Sequence, residues 1–174
     1  GYMSADGLVR PPVARPDLRQ YDESYSDILG TVVAQGATLT VDYDVVNMGY
    51  AGSGTVTVDF YLSTNTTITT GDRYIGTRTV GSLNPFQYAN PRAAFSIASN
   101  TPLGTYYVGW IMRCPTTEYT TANNAAVITE ETVQIIEPVE CGTARTSGRA
   151  DAAAIATLGL VFASLLARRR RARA

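Results

Sequence analysis

The chain has no histidine and no lysine; all fourteen of its basic residues are arginine. These absences exclude Ser-His-Asp, Cys-His and Ser-Lys nucleophilic sites, Schiff-base lysines, the phosphate-gripping lysine of a P-loop and histidine-ligated zinc. Any such site would need residues from another chain or from a segment outside this one. Cysteine occurs only at Cys114 and Cys141, and tryptophan only at Trp110. Charged residues make up 17% of the 174 positions and hydrophobic residues 45%, enough for one domain with a core and further segments at its ends. Neither a helical period nor β-α-β spacing occurs in the body of the chain, which excludes helix bundles and doubly wound sheets.

The net charge of −1 conceals a division. Residues 1–140 hold fourteen carboxylates against seven arginines, a net of −7, whereas residues 141–174 hold Asp151 against seven arginines, a net of +6. An acidic body argues against a nucleic-acid partner, because phosphate binding requires a basic face. The basic C-terminal segment is where a membrane reading has to be tested.

Residues 152–167 read AAAIATLGLVFASLLA, sixteen positions without a charge, and Arg168, Arg169, Arg170, Arg171 and Arg173 follow. As a helix this run spans roughly 24 Å, slightly short of the ~30 Å hydrocarbon core, and snorkelling arginines make up part of the gap. The arginine block is expected to stay on the cytoplasmic side, so that residues 1–150 would face outward. The other reading is an amphipathic helix of the globular body, which would carry polar residues at helical spacing; only Thr157 and Ser164 interrupt this run. Ten residues separate Cys141 from the run, most of them small or polar. Cysteine, spacer, apolar run and terminal arginines together resemble the tripartite C-terminal sorting tails of Gram-negative bacteria, and the cysteine singles out the MYXO-CTERM type. Arg145, Arg149 and Asp151 make this spacer more polar than that family's. The resemblance implies a sorting protease acting near Cys141 and attachment of the mature protein there through a lipid. An exported protein also needs an N-terminal signal; the chain starts at Gly1, and it is expected to be the C-terminal part of a longer protein.

In the body, threonine and tyrosine are frequent, and glycine, asparagine and proline punctuate at short intervals, a β signal. The clearest strand is 38–47, where Leu39, Val41, Tyr43 and Val45 alternate with Thr38, Thr40, Asp42 and Asp44. Val56, Val58, Phe60 and Leu62 form the next inward face, against Thr57, Asp59 and Tyr61. Weaker strands are expected near 73–80 and 92–98, with Leu83 plugging the core between them. Tyr106, Val108, Trp110 and Met112 share one face of 105–114; a last strand lies near 129–136, and 17–21 supplies an edge. Seven strands separated by turn signals predict an all-β, two-sheet antiparallel sandwich. The inward set is expected to be buried, and Asp42, Asp44, Thr57 and Asp59 exposed. Cys114 and Cys141 are not expected to pair.

The order of local motifs is also informative: Arg15-Pro16-Asp17-Leu18, Asn47-x-Gly49, Phe60-Tyr61-Leu62-Ser63, Ile75-Gly76, Val80-x-x-Leu83, Gly104-x-Tyr106-Tyr107 and Asn123-Asn124. Across residues 16–138 this resembles the CARDB domain, a cell-adhesion-related module of bacterial and archaeal surface proteins. The resemblance implies an immunoglobulin-like seven-stranded sandwich, in repeats or appended to enzymes and other surface domains. The loop after the penultimate strand departs from the family pattern: Met112-Arg113-Cys114-Pro115 has only Glu118 as a nearby acid.

Candidate chemistry is sparse. Asp42 with Asp44, and Asp22 with Glu23 and Asp27, are acidic groupings, but calcium needs six to eight oxygens, and solvated surface is the simpler account. Glycosidase-type carboxylate pairs need no histidine but do need an acid in an apolar pocket, which no pattern places. Trp110 lies in phase with core residues, which favours packing over a carbohydrate platform; Tyr50, Tyr61 and Tyr107 are expected at the surface. The organisation read from the sequence is a linker at 1–15, a CARDB-like sandwich at 16–138, a spacer at 139–151 holding Cys141, and a hydrophobic helix with its arginine cluster at 152–174. The expected function is non-catalytic adhesion or interaction at a Gram-negative cell surface, without metal or cofactor. Its partner is a surface protein or a carbohydrate, and the membrane is engaged through 152–167. The alternative is the accessory and anchoring end of a secreted hydrolase, such as a peptidase, whose catalytic domain lies upstream of Gly1.

Overall fold

The computed structural model describes residues 2–3, 9–10 and 13–139. In chain order the strands are β1 (Tyr2–Met3), β2 (Val9–Arg10), β3 (Leu18–Arg19), β4 (Asp27–Leu29), β5 (Val32–Ala34), β6 (Thr38–Asp42), β7 (Val45–Asn47), β8 (Val56–Ser63), β9 (Arg73–Val80), β10 (Tyr88–Ala89), β11 (Arg92–Ser96), β12 (Gly104–Arg113), β13 (Ala125–Val127) and β14 (Val133–Ile136). A single 3-10 turn, Glu23–Tyr25, separates β3 from β4. Strands β1 and β2, inside the segment read as a linker, pair with each other.

Two layers follow from the pairing. One holds the ladders β10-β7-β3 and β11-β6-β4, which continue one another because the segments 18–29, 38–47 and 88–96 each run through both. The other is β5-β14-β12-β8-β9, with β13 also on β12. Leu39, Val41, Tyr43, Val45, Phe95 and Ile97 from the first layer and Val56, Val58, Phe60, Leu62, Tyr106, Val108, Trp110 and Met112 from the second form one continuous core. At its centre Phe60 packs edge-on against Tyr43 at 4.8 Å and lies tilted against Phe95 at 4.6 Å and Trp110 at 5.9 Å. Leu83 closes the core as its spacing predicts. The all-β sandwich is therefore the observed architecture. One ladder departs from the expected antiparallel pattern: β5 runs parallel to β14. The chain leaves the first layer after β4, through Gly30 at φ +103°, so β5 reaches the second layer already running along β14.

None of the four residues expected outside is exposed as a simple alternation requires; Thr57 is half-buried. Asp44 and Asp59 are buried and Asp42 is half-buried, although every inward residue is buried as predicted. A one-residue slip would have exchanged both sets; here the register is right and the outer face is covered. Asp59 accepts from the Thr77 hydroxyl at 2.5 Å and pairs with Arg113, each on a neighbouring strand. Tyr61, expected at the surface, is also buried, beside Tyr74 at 5.8 Å between ring centres. Its cross-strand partner is Gly109, where an added Cβ would strike Ile68 and stand 2.5 Å from the Ala126 carbonyl. Without a side chain at position 109, the 64–72 loop folds back and lays Ile68 over this face.

The spacing Asn47-x-Gly49 has a plain physical basis in the fold. The buried Asn47 amide accepts from the backbone N–H of Asp17 and Gly49, each at 3.0 Å, and donates to the carbonyls of Ala51 at 2.7 Å and Leu83 at 3.0 Å. Gly49 passes so close to 15–17 that a Cβ would stand 2.6 Å from the Asp17 nitrogen. The first edge strand, the second strand and the Leu83 plug are thus joined at one side chain, with every hydrogen-bonding site of the amide used.

The apolar run 152–167, Cys141 and Arg168 to Arg171 lie outside the described residues. Among the described residues, no helix is long and apolar enough to cross a membrane. The cysteine expectation can be sharpened from β12 and β14. Gly104 faces Ile135 across their antiparallel ladder, so β14 leaves at the end of β12 opposite Cys114. Ten strand residues separate those ends by about 33 Å. Cys141 itself lies outside the described residues; the expectation that it does not pair with Cys114 rests on the last strand leaving at the far end of β12. Non-reducing mass spectrometry of the unprocessed monomer is expected to show no Cys114–Cys141 bridge; a mass two units lower would refute this.

A candidate contact surface

The central strand of the first layer breaks at Tyr43 and Asp44, between β6 and β7. Its neighbours break at the same level. On one side Pro91 has no N–H to give the ladder, and Tyr43 instead donates to the Pro91 carbonyl at 3.1 Å. On the other side residues 20–26 bulge out as a loop holding the 3-10 turn. Asp44 occupies the resulting slot. Its carboxylate, wholly buried, accepts from the backbone N–H of Tyr21, from that of Asp22 at 3.1 Å and from the Ser26 hydroxyl at 2.7 Å. Three donors on one loop replace the solvent that burial removes.

Further ties hold the same loop. The Asn90 amide donates to the carbonyls of Tyr25 at 2.8 Å and Tyr43 at 2.9 Å. Glu23 accepts from the hydroxyl of Thr129 at 2.7 Å, from its N–H, and from the N–H of Glu130 at 3.3 Å. Asp22 caps the turn through the Ser24 N–H at 2.9 Å. Fixed in this way, the loop displays Tyr21 and Tyr25 beside Tyr88 of β10. Tyr21 stacks on Tyr88 at 5.4 Å and 14°, and Tyr25 stands 5.9 Å from Tyr21 and 6.4 Å from Tyr88. The three rings remain 54%, 46% and 54% exposed, in the order Tyr21, Tyr25, Tyr88. On the same face Val46, flanked across the strands by Tyr88 and Arg19, is buried outside the main core. A second exposed pair, Tyr50 and Phe86, meets edge-on at 5.3 Å two residues before Tyr88, with Phe86 held at φ +63° in the 84–87 turn.

Beside the tyrosines a cavity of about 380 Å³ is lined by carboxylates, among them Asp22, Glu23 and Glu130, and by no arginine. The hydrogen bond from the Ser24 backbone holds the Asp22 carboxyl below its ordinary range, and the Thr129 hydroxyl does the same for Glu23. The Arg92 guanidinium, bonded at 2.6 and 2.8 Å, lowers Asp42. A depressed folded-state value means stability present above the unfolded value and lost as pH falls through the folded one. The urea midpoint is accordingly expected to drop between pH 6 and pH 3, with Glu23→Gln flattening part of that slope; an unchanged midpoint would count against these contacts.

A further cavity, about 640 Å³, lies at the 112–124 loop. Glu118 accepts there from the Leu18 N–H and from the Asn124 amide, each at 2.9 Å, and Asn123 donates to Asp17 at 2.9 Å. These bonds tie the loop to the first strand. Burial pushes the Cys114 thiol up to about 11, and the Glu118 carboxylate adds to the effect, so thiolate chemistry is suppressed at neutral pH. Among the described residues no group of three or more acids and cysteines could hold a metal ion.

Of the candidates read from the sequence, Trp110 is core and Tyr107 half-buried, while Tyr50 is exposed as expected. Asp42 and Asp44 do not act together: one pairs with Arg92, the other is sealed under the loop. Asp22 and Glu23 are brought to the tyrosine cluster, which sequence reasoning missed. Its one sequence signal was Tyr21-Asp22-Glu23-Ser24-Tyr25, a pair of tyrosines in a turn-forming context.

The described residues thus define an all-β sandwich domain with a preorganised aromatic surface at one end of the first layer. No family model matches the chain, and no curated protein matches it in sequence. Among solved structures, a CARDB domain from Pyrococcus furiosus in complex with di-metal ions is similar at 19% identity and a TM-score of 0.46, over 70% of this chain and 90% of that one. A domain spanning residues 272–376 of a Methanosarcina acetivorans protein assigned to the cell surface is similar at 17% identity and 0.46, over 71% and 95%. A Listeria innocua β-glucosidase is similar at 12% and 0.42, over 71% of this chain and 16% of the enzyme. Neither the metal ions of the first nor the activity of the last transfers to this chain.

Proposed function

We propose that the chain is a non-catalytic, extracytoplasmic interaction module of a bacterial surface protein: a CARDB-type, immunoglobulin-like sandwich followed by a sorting tail. The observation that carries this reading is the Tyr21–Tyr25–Tyr88 surface, three exposed rings on a loop held by a buried carboxylate. Exposed aromatic area of this kind serves contact with a partner. Asp22, Glu23, Asp42 and Asp72 are held below the usual carboxylate range, the opposite of what a general acid for hydrolysis needs. The acidic body, the arginine-flanked apolar run and the preceding Cys141 support an outward-facing domain whose tail is removed near Cys141, leaving the protein held there through a lipid. A single acyl chain binds membranes only marginally, so more than one chain or further contacts would secure it.

The test is protease treatment of intact Gram-negative cells producing the protein with its native export signal, followed by mass spectrometry of the mature C-terminus. Cleavage of the body from outside and a lipid mass on Cys141 are expected. A body protected in intact cells would overturn the surface reading. Residues 152–174 retained in the mature protein would make the tail a simple anchor. Turnover of peptides, esters or glycosides that one Asp or Glu substitution abolishes would overturn the non-catalytic reading.

A further inference from the structure

We infer that the Tyr21–Tyr25–Tyr88 surface, with the Asp22, Glu23 and Glu130 carboxylates beside it, docks an arginine-bearing segment of a partner polypeptide. This deepens the interaction-module reading and rests on it. The first support is charge. Residues 13–139 hold twelve carboxylates and six arginines. Four of those arginines are engaged elsewhere: Arg92 on Asp42, Arg113 on Asp59, Arg73 on Asn100 and Thr101, and Arg78 on the Ala94 carbonyl and over the Phe95 ring. Among the described residues no arginine lines the acidic cavity at the loop, and Arg92 acts, from beyond the lining, on Asp27 in its wall. Among the described residues the carboxylate side of the surface therefore carries an excess of negative charge.

The second support is the kind of surface that field adjoins. A guanidinium is planar, stacks on aromatic faces and offers its N–H groups to carboxylates at the same time. Tyr21 and Tyr25 bracket Asp22 on one short loop, so ring faces and carboxylate are presented together. An ammonium group gains the charge attraction without the planar stacking. A neutral sugar would use the rings but leave the carboxylate field without a counterpart. Rigidity is the third support. Asp44, Asn90 and the Glu23–Thr129 contacts hold the loop before any partner arrives, which reduces the ordering cost of association. Arg19, at the β3 edge of the same face, is the one like charge a cationic partner meets there among the residues flanking Val46.

The experiment titrates the full chain, kept in detergent micelles, with a fluorescent peptide carrying four arginines, its lysine counterpart and a neutral hexasaccharide. The arginine peptide is expected to bind several-fold more tightly than the lysine peptide, and to weaken roughly tenfold as salt rises from ~0.05 to ~0.5 M. Tyr21→Ser with Tyr25→Ser is expected to weaken it by about tenfold, Asp22→Asn to weaken it less, and Arg19→Ala to tighten it. Circular dichroism and melting of each variant separate lost binding from lost folding; the exposed Asp22→Asn change serves if the tyrosine pair destabilises the loop. Equal binding of arginine and lysine peptides, or binding indifferent to the tyrosines, would overturn the inference. So would no peptide binding, or hexasaccharide binding that the tyrosine variants abolish, which would make the surface a glycan platform. In those cases the surface location found by protease treatment still stands or falls separately.

Discussion

Trp110→Ala is expected to remove about 3–5 kcal/mol of folding stability, a large share of the roughly 5–15 kcal/mol a domain commonly has. The side chain is wholly buried in the shared core, 5.9 Å from both Tyr43 and Phe60. Its loss leaves a cavity ringed by aromatics on opposite sheets that cannot collapse without moving a ladder. Trp110→Phe is the informative companion. It keeps much of the ring volume and deletes an indole N–H that has no acceptor in the fold, so a cost under about 1.5 kcal/mol is expected. Urea unfolding followed by circular dichroism measures both. A cost below about 1 kcal/mol for Trp110→Ala, with altered ligand binding instead, would overturn its assignment to the core.

Asp44→Ala carries the second large effect, and Asp42→Ala is its control. Removing the Asp44 carboxylate strands two backbone N–H groups and one hydroxyl, each costing about 1–3 kcal/mol if it stays dry. The loop borders solvent and partly rewets, so a total near 2–4 kcal/mol is expected. Amide exchange of Tyr21 and Asp22 should accelerate more than that of β8, because the loop opens before the core does. Arginine-peptide binding should fall with it. Asp42 pairs with an exposed Arg92, and its removal is expected to cost less than about 1 kcal/mol. Equal costs at the two positions would mean that Asp44 does not hold the loop.

These two aspartates show where reading the sequence stops. They occupy equivalent positions of one alternating strand, and periodicity treats them alike. The difference comes from Pro91 on one neighbour and the 20–26 loop on the other, which interrupt three adjacent segments at one level. A break spread over segments far apart in the chain leaves no local signature. The short strands β4, β5, β10 and β13 were missed for a related reason: two or three residues are too few to express a period. Tyr61 and Asp59 were misplaced because alternation predicts which face a side chain takes, and not whether a loop, as at Tyr61, or neighbouring side chains, as at Asp59, cover that face. The longer strands, the Leu83 plug and the buried set from Leu39 to Trp110 were legible, since each depends on a pattern within some ten residues.

Composition and alternation alone determined that this body is an all-β sandwich, which residues line its core, and that histidine and lysine chemistry has no place in it. Those conclusions rest on properties every residue carries wherever it stands: side-chain type, and the two-residue repeat of an extended chain. Tertiary structure decided which tyrosines meet, which carboxylate is sealed and which faces the cavity. Tyr21 and Tyr88 lie 67 positions apart in the chain and 5.4 Å apart in space, and only the pairing of β3 and β10 on either side of β7 brings them together.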